Sequence, residues 1–232
     1  MIADERVTDY IYSLESGWGA LCDGIAREAA AENIPIIKKE TAALLRTLAA
    51  AKRPGAILEV GTAVGYSALL MAQVMPPFCR ITTIEKYEPR IRAARENFRK
   101  AGREESITLL EGDAGEILRT LKGPYDFIFM DAAKGQYIHW LPDIVRLMAP
   151  GALLFSDNVL QDGTIVQSRY GVERRDRTIH GRMREYLYRI KHTEELESAV
   201  VPIGDGVALS VRKDLKTHEG SGSVSSRDKS GS

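Results

Sequence analysis

The fold class is predicted from residues 57–67, which read Ile-Leu-Glu-Val-Gly-Thr-Ala-Val-Gly-Tyr-Ser. A short apolar run ends in an acid, two glycines frame a turn, and a helix-like segment begins at Ser67. This order is typical of the first strand, turn and helix of an open α/β sheet, in which ligands bind beyond the carboxyl ends of the strands. An ordinary strand-to-helix turn without a ligand is the alternative.

The glycine spacing differs from that of a dinucleotide site. Such a site has the pattern G-x-G-x-x-G, whereas position 63 is alanine here and only Gly61 and Gly65 remain. Glu59, two residues before the first glycine, would repel a phosphate and suits a ligand with a positive amino group. S-adenosylmethionine carries such a group, and the pattern E-x-G-x-x-x-G resembles motif I of the class I methyltransferases.

The composition fits one α/β domain with a sizeable core, because the chain has 232 residues, of which 44% are hydrophobic and 28% are charged. Lys and Arg together number 32, as do Asp and Glu, so any nucleic-acid partner must meet a local patch. The two cysteines form no disulfide framework. Neither a signal peptide nor an apolar run of the roughly 18 residues that span a membrane is evident. We therefore expect a cytoplasmic protein without membrane contact.

The first part of the chain is predicted to be a helical cap, residues 1–53, with helices over about 4–13, 19–32 and 35–51. From Ile57 onward, strands alternate with helices, which predicts a parallel sheet with helices on both faces. The predicted strands cover residues 57–60, 80–85, 107–111, 127–131 and 152–156.

Two further β runs, residues 199–203 and 207–211, flank a Gly-Asp-Gly turn, which predicts a hairpin and an antiparallel last strand. The expected architecture is a class I methyltransferase Rossmann-like α/β fold: a mostly parallel seven-stranded sheet with an antiparallel C-terminal strand and extra N-terminal helices. We expect a single domain over residues 1–213. Residues 214–232 are rich in Ser, Gly and Lys and are expected to form a disordered tail.

Acidic side chains follow the second and third predicted strands. Glu85 lies 20 residues beyond Gly65 and is placed to accept hydrogen bonds from both hydroxyls of a ribose, although a plain surface acid is the alternative. Asp113 and Ala114 would lie beside an adenine, where Asp113 meets the exocyclic amine. Asp113 is equally suited to cap the following helix.

Two further acids end the fourth and fifth strands. Asp131 follows one strand, and Asp157 and Asn158 follow the next. Neighbouring parallel strands lie about 5 Å apart, so these side chains should meet at one edge of the sheet. Two carboxylates and an amide oxygen make a hard oxygen site of the kind that Mg²⁺ prefers. Paired acids that cap helices or bind a cofactor amine are the alternative.

Lys134 follows Asp131 by one short turn. Beside a bound cation and a cofactor sulfonium, neighbouring positive charge disfavours the protonated amine. A neutral amine could take a proton from a substrate hydroxyl. A solvated surface lysine is the alternative.

Four motifs together resemble the cation-dependent O-methyltransferases, a family that includes the catechol and caffeoyl-CoA O-methyltransferases. They are EVGTAVGYS at 59–67, DAAKGQY at 131–137, SDNVL at 156–160 and VPIGDGVALS at 201–210. The likeness runs from about Ile34 to Val211. Within the family, the motifs look most similar to those of the bacterial tRNA 5-hydroxyuridine methyltransferases.

The resemblance implies a bound S-adenosylmethionine, a divalent cation and a homodimer. Mg²⁺ or Mn²⁺ would be held by Asp131, Asp157 and Asn158, with Lys134 as the general base and Asp131 facing both the metal and the amino end of the cofactor. The implied catalytic residues are therefore Lys134 and Asp131. The implied cofactor contacts are Ile37, Glu59, Gly61, Thr62, Ser67, Glu85, Asp113, Ala114 and Asp131.

The resemblance also suggests an acceptor, the 5-hydroxyl of 5-hydroxyuridine at the tRNA wobble position, which would become 5-methoxyuridine. Its 5-hydroxyl and 4-carbonyl oxygens are adjacent, as are those of a catechol. A small catechol or phenol is the alternative acceptor. Ala132 and Ala133 replace the bulkier pair that catechol enzymes have before the lysine, and features that bind coenzyme A are not evident.

A tRNA anticodon stem-loop also needs phosphate contacts. Residues 169–191 have eight basic side chains against three acidic ones, with tyrosines at 170, 186 and 188 that could stack on a base. The basic residues are Arg169, Arg174, Arg175, Arg177, Arg182, Arg184, Arg189 and Lys191. A solvated amphipathic helix is the alternative.

An RNA-binding protein with a vestigial cofactor pocket and an NAD dehydrogenase are further alternatives for the whole protein. The intact set of Asp131, Lys134, Asp157 and Asn158 opposes the RNA-binding protein. Ala63 and the C-terminal hairpin oppose the dehydrogenase.

Overall fold

A computed structural model describes residues 4–168 and 170–214 of the chain. The strands are β1 (Ala56–Val60), β2 (Arg80–Glu85), β3 (Ile107–Glu111), β4 (Tyr125–Met130), β5 (Met148–Ser156), β6 (Leu196–Val201) and β7 (Val207–Arg212). The helices are α1 (Glu5–Leu14), α2 (Ala20–Ala31), α3 (Lys39–Lys52), α4 (Tyr66–Ala72), α5 (Glu88–Lys100), α6 (Ala114–Thr120), α7 (Tyr137–Leu147) and α8 (Arg177–His192). Short 3₁₀ helices occupy Lys134–Gln136 and Gln161–Val166.

Within these described residues, the strands form one seven-stranded sheet in the order β3-β2-β1-β4-β5-β7-β6. All neighbouring pairs from β3 to β5 are parallel, and β7 runs antiparallel to both β5 and β6. The predicted class I methyltransferase architecture is confirmed. The strand order reverses between β1 and β4, which is where ligands bind in open α/β sheets.

The core lies on both faces of the sheet. On β4, Phe127 and Phe129 face one buried cluster, and Ile128 and Met130 face the other. Helices α2 to α5 cover the first face, and α6 to α8 cover the second. A strand buried on both sides needs apolar residues at consecutive positions, which explains the unbroken run of residues 127–130.

The N-terminal helices dock on the first face. On α1, the hydroxyl of Tyr12 donates a hydrogen bond to Glu40 of α3. Trp18, just before α2, packs edge-on against Tyr66 of α4 with ring centroids 6.4 Å apart. These contacts attach the cap to the part of the sheet that carries the glycine turn.

The third helix begins later than the sequence predicts, at Lys39 instead of residue 35. Asn33 adopts a positive φ of 54°, and the N–H of Ile34 bonds the carbonyl of Ala29, which closes α2. Ile37 is buried in the core. Residues 34–38 are not helical, and residues 35–38 line the edge of a cavity.

Two other expectations concern the ends of elements and the tail. Strand β5 begins at Met148 instead of residue 152. The predicted tail lies outside the described residues from position 215 onward. Among the residues that are described, no helix has the length and apolar character needed to cross a membrane.

Candidate active site

A cavity of about 790 Å³ opens at the carboxyl edge of the parallel strands. Its walls come from the segment before α3, the glycine turn after β1, and the ends of β2 to β5. Most of the predicted site residues line it: Ile37, Gly61, Glu85, Asp113, Ala114, Asp131, Lys134, Asp157 and Asn158. The structure therefore brings the candidate metal ligands, the candidate base and most of the expected cofactor contacts to one cavity.

Glu59, Thr62 and Ser67 do not line this cavity. Glu59 has no exposed surface, and its two carboxylate oxygens accept hydrogen bonds from the hydroxyls of Ser67, at 2.6 Å, and Thr83. Burial raises the pKa of Glu59 to about 7, although both hydroxyls oppose the shift. In this conformation the acid holds the first turn of α4 against β2, and its contact with a cofactor stays a prediction.

The glycines of the turn are required by neighbouring protein atoms. Gly61 has a φ of 104°, and a Cβ there would lie 2.1 Å from the carbonyl oxygen of Asp131. Gly65 has a φ of 82°, and its Cβ would lie 2.6 Å from the ring of Phe98. The turn is thus packed directly against the end of β4. This contact limits how far the glycine turn and the backbone of Asp131 can move relative to each other.

Glu85 and Asp113 line the far end of the cavity. Glu85 accepts hydrogen bonds from the N–H of Ala63, at 3.0 Å, and from the two residues that follow it. Asp113 caps α6 by accepting from the N–H of Gly115 at 2.9 Å, so the capping alternative is confirmed. A carboxylate can accept about four hydrogen bonds, and both acids can therefore still receive a ligand.

Asp131 and Asp157 come directly after Met130 and Ser156, which are paired across β4 and β5. The N–H of Asp131 bonds the carbonyl of Val60, and that of Asp157 bonds the carbonyl of Met130. Burial raises the pKa of both acids. The charge of Asp131 raises that of Asp157 further, and Lys134 opposes both shifts. Among the described residues, neither acid forms an ion pair with a basic side chain.

Asn158 sits beside these acids with a positive φ of 59°. Its backbone N–H donates to Oδ1 of Asp157 at 2.7 Å, and its side-chain Nδ2 donates to Oδ2 of Asp205 at 3.2 Å. The amide nitrogen is therefore committed to Asp205. The amide oxygen is the atom left for a cation.

The chemistry of these donors fits a hard divalent cation. The like charges of Asp131 and Asp157 repel each other, neither acid forms an ion pair among the described residues, and oxygen ligands of this kind suit Mg²⁺ or Mn²⁺. Across residues 4–168 and 170–214, no group of three or more His, Cys, Asp and Glu side chains is arranged to hold a metal. The predicted set has two carboxylates and one amide, so it is not a cluster of that type.

Tyr137 is a site residue that sequence reasoning missed. Its buried hydroxyl donates to the carbonyl of Met130 at 3.0 Å and accepts from the N–H of Ala132 at 3.2 Å. The carbonyl of Asp157 lies 3.3 Å away. Tyr137 thus joins the ends of β4 and β5. It is the last residue of the DAAKGQY motif, which was the available signal.

Lys134 opens the short 3₁₀ helix after Asp131 and is partly buried. A second cavity of about 640 Å³ shares four lining residues with the first. These shared residues are Lys38, Lys134, Asn158 and Asp205. Lys134 therefore lies where the two cavities meet, between the expected cofactor side and a separate space large enough for an acceptor.

The basic segment mostly contacts the protein itself. Side chains of four of its residues donate to backbone carbonyls: Arg177 to Val172, Arg182 to Gly135, Arg184 to Ile165 and Lys191 to Ser198. Arg175 pairs with Glu173 and Asp176. Arg169 lies outside the described residues.

The three tyrosines of this segment differ in their solvent exposure. Tyr186 is fully buried, and its hydroxyl lies 2.5 Å from that of Ser156, so it is a core residue and not a stacking platform. Tyr170 and Tyr188 are exposed. The face of α8 that carries His180, Met183, Tyr186 and Ile190 packs into the protein.

Comparisons with known proteins agree with this geometry. Residues 25–213 match the family model described as O-methyltransferase. The chain is 39% identical over 128 residues to the catechol O-methyltransferase of Niastella koreensis, covering 53% of this chain and 56% of that protein. It is 30% identical to the tapetum-specific methyltransferase 1 of Arabidopsis thaliana, covering 66% and 67%. The chain thus spans just over half the length of the Niastella protein.

Solved structures show the same fold. A candidate caffeoyl-CoA O-methyltransferase from Staphylococcus aureus superposes with a TM-score of 0.83 at 26% identity, covering 90% of this chain and all of that one. Cofactor-bound Rv0187 from MTB gives a TM-score of 0.79 at 25% identity, covering 90% and 96%. The family model covers all seven strands of the described sheet and every residue that lines the first cavity, from Pro35 to Asp205. The chain belongs to the O-methyltransferase family.

Proposed function

We propose that the protein is an S-adenosylmethionine- and divalent-cation-dependent O-methyltransferase acting on a small phenolic acceptor with two adjacent oxygens. The observation that carries this proposal is that Asp157, which is buried, and Asp131, which is partly buried, lie at adjacent strand ends beside Lys134 and form no ion pair among the described residues. The catechol and caffeoyl-CoA O-methyltransferases among the relatives support the acceptor class.

The cofactor would lie along the first cavity. Glu85, which already accepts three hydrogen bonds from backbone N–H groups, would accept one more from a ribose hydroxyl. Asp113 and Ala114 would face the adenine, and Asp131 would face the amino end. When bound, S-adenosylmethionine supplies an electrophilic methyl group, and the cation supplies Lewis acidity to the acceptor oxygens. Ile37 and the segment around it would exclude water from this part of the cavity.

The protein supplies the proton transfer and the orientation. Lys134, at the junction of the cavities, would accept the proton of the acceptor hydroxyl. Asp131, Asp157 and the amide oxygen of Asn158 would fix the cation and so the direction of the acceptor oxygen. Tyr137 holds the ends of β4 and β5 together, which maintains this spacing. Holding reactants in line can contribute about 7–11 kcal/mol to the acceleration.

A tRNA acceptor is the second candidate. Arg174 and exposed Tyr170 and Tyr188 favour it. Three acids of the second cavity disfavour a phosphate backbone, because Asp162, Glu173 and Asp176 line it. The small acceptor is therefore the main proposal, and 5-hydroxyuridine in tRNA remains the alternative.

Methyl transfer from labelled S-adenosylmethionine tests the proposal. Purified protein would be given a catechol or a tRNA that contains 5-hydroxyuridine, each with Mg²⁺, Mn²⁺ or a chelator. We expect cation-dependent methylation of the catechol and little on tRNA. Methylation that survives a saturating chelator would contradict the cation dependence, and a strong preference for tRNA would contradict the small acceptor.

The homodimer and the cytoplasmic location stay predictions. Light scattering would test the homodimer.

A further inference from the structure

The Gly204-Asp205-Gly206 turn between β6 and β7 belongs to a motif whose role the proposed reaction leaves open. Both glycines have positive φ values, 56° and 85°. A Cβ at Gly204 would lie 2.2 Å from Oγ1 of Thr41 in α3, and a Cβ at Gly206 would lie 2.2 Å from Cγ of Leu160. The turn therefore packs closely against two elements, the start of α3 and the segment after Asn158.

Backbone hydrogen bonds hold the turn in this position. The N–H of Val159 bonds the carbonyl of Gly206 at 2.9 Å, and the N–H of Leu160 bonds the carbonyl of Asp205 at 3.0 Å. These hydrogen bonds hold the backbone of Asp205 in place. Its side chain points to the junction of the two cavities, both of which it lines.

Each oxygen of the Asp205 carboxylate has a different partner. Oδ1 lies 2.7 Å from Nζ of Lys38, and Oδ2 accepts from Nδ2 of Asn158 at 3.2 Å. Lys38 ends the segment that lines the cofactor cavity, whereas Asn158 is the expected amide ligand of the cation. One carboxylate thus connects the edge of the cofactor cavity to the cation site.

We propose that Lys38, Asp205 and Asn158 form a bridge that couples cation binding to cofactor binding. Asp205 is a positioning residue: by binding the amide nitrogen of Asn158, it turns the amide oxygen toward the cation. By binding Lys38, it holds residues 35–38 over the cofactor. This inference rests on the proposed function, because it needs both ligands to bind.

The consequence is a thermodynamic linkage. If the cation orders Asn158 and Asp205, it also favours the position of Lys38 that closes the cofactor cavity, so each ligand tightens the other by the same factor. Coupling of this kind typically amounts to about 5–150-fold in affinity. Loss of a partner that orients a metal ligand typically costs about 10–100-fold in metal affinity.

The test measures dissociation constants by calorimetry, using Mn²⁺ and S-adenosylhomocysteine as probes, each alone and in the presence of the other. In the unaltered protein, we expect Mn²⁺ to tighten S-adenosylhomocysteine binding about fivefold or more. Lys38→Met should reduce this factor to less than about twofold, whatever its effect on the affinity for Mn²⁺ alone. Lys38→Arg, which keeps the cation, should restore the factor. Asp205→Asn should weaken Mn²⁺ about tenfold and also abolish the linkage.

Matched controls remove similar ion pairs far from the cavities. Asp143→Asn breaks the pair with Arg146 on α7, and Lys100→Met breaks the pair with Glu96 on α5. Both should retain full linkage. Undiminished linkage in Lys38→Met, or absence of linkage in an unaltered protein that binds both probes, would overturn the bridge alone. An unaltered protein that binds neither probe would overturn the proposed function as well.

Discussion

The acids at one edge of the sheet differ in their partners: Glu59 of β1 is hydrogen-bonded by protein hydroxyls, whereas Asp131 and Asp157, after β4 and β5, form no described ion pair. At the end of β1, Glu59 is fully buried and its oxygens accept hydrogen bonds from Ser67 and Thr83. At the ends of β4 and β5, Asp157 is buried and Asp131 is partly buried, yet no described basic side chain forms an ion pair with either acid. An acid whose hydrogen bonds are made by the protein holds the fold together. A pair of acids that forms no ion pair with the protein is, in the proposed function, the place where a cation binds.

The largest expected effect comes from Lys134, which lines the same cavity as Asp131 and Asp157. Lys134→Ala should lower kcat by about 10²–10⁴-fold, because general base catalysis contributes an effect of that size. Binding of S-adenosylhomocysteine should change little, as measured by calorimetry. Turnover close to that of the unaltered protein would remove the base from the mechanism.

A second test disrupts the close packing of Gly61, in the turn after β1, against Asp131, at the end of β4. Gly61→Ala places a Cβ against the carbonyl oxygen of Asp131, which is backbone and cannot turn away. Together with the strain at positive φ, this should cost about 3 kcal/mol or more in the free energy of unfolding. Denaturant titration would measure it.

The matched control is Gly102→Ala. Gly102 also has a positive φ, 61°, and nothing lies within 4 Å of its Cβ position. Only the backbone strain remains there, about 1–2 kcal/mol. If both variants lost the same free energy of unfolding, the close contact between Gly61 and Asp131 would make no contribution to stability.

The buried acid of β1 predicts a pH dependence of stability. Burial raises the pKa of Glu59 to about 7 from an ordinary 4.5, so the protonated form is favoured by folding. Its contribution is complete below about pH 4.5 and is lost as the pH rises through about 7. A shift of this size corresponds to about 3 kcal/mol.

Glu59→Gln should remove this part of the pH dependence, since glutamine does not ionise. The comparison is the slope of unfolding free energy against pH between about pH 5 and 8, in the unaltered protein and in the variant. Identical slopes would mean that Glu59 titrates normally. The contrast with Asp131 and Asp157 would then rest only on the hydrogen bonds that Glu59 accepts from Ser67 and Thr83.

The smallest effect is expected from the basic segment. Arg174→Glu should leave KM for a catechol within about twofold, because surface substitutions away from the site change free energies by about 0.5 kcal/mol or less. If tRNA is a substrate, KM for tRNA should rise while that for catechol does not. A parallel rise for both acceptors would place Arg174 near the common site.

The sequence predicted the sheet because strand and helix patterns alternate strictly from Ile57 to Ser156. It also predicted the meeting of Asp131 with Asp157, since the ends of adjacent parallel strands share one edge. It could not show that Glu59 would be satisfied internally, because its partners are 8 and 24 residues away in the chain. Nor could it show the pairing of Lys38 with Asp205, which are 167 residues apart.

The basic segment shows a different limit. Its charge count predicts a surface for phosphates, but one face of α8 packs into the protein, and three arginines of α8, Arg177, Arg182 and Arg184, donate to backbone carbonyls. Which side chains remain free depends on this packing. Similarly, helical spacing alone does not predict that α3 begins only at Lys39, after a non-helical segment whose Ile37 is buried.

Calorimetric titration of Mn²⁺ into the unaltered protein, Asp157→Asn and Glu59→Gln tests the central claim most directly. The account predicts one Mn²⁺ per chain for the unaltered protein and for Glu59→Gln, and affinity at least about tenfold weaker for Asp157→Asn. Unchanged affinity in Asp157→Asn, or equal losses in both variants, would contradict it.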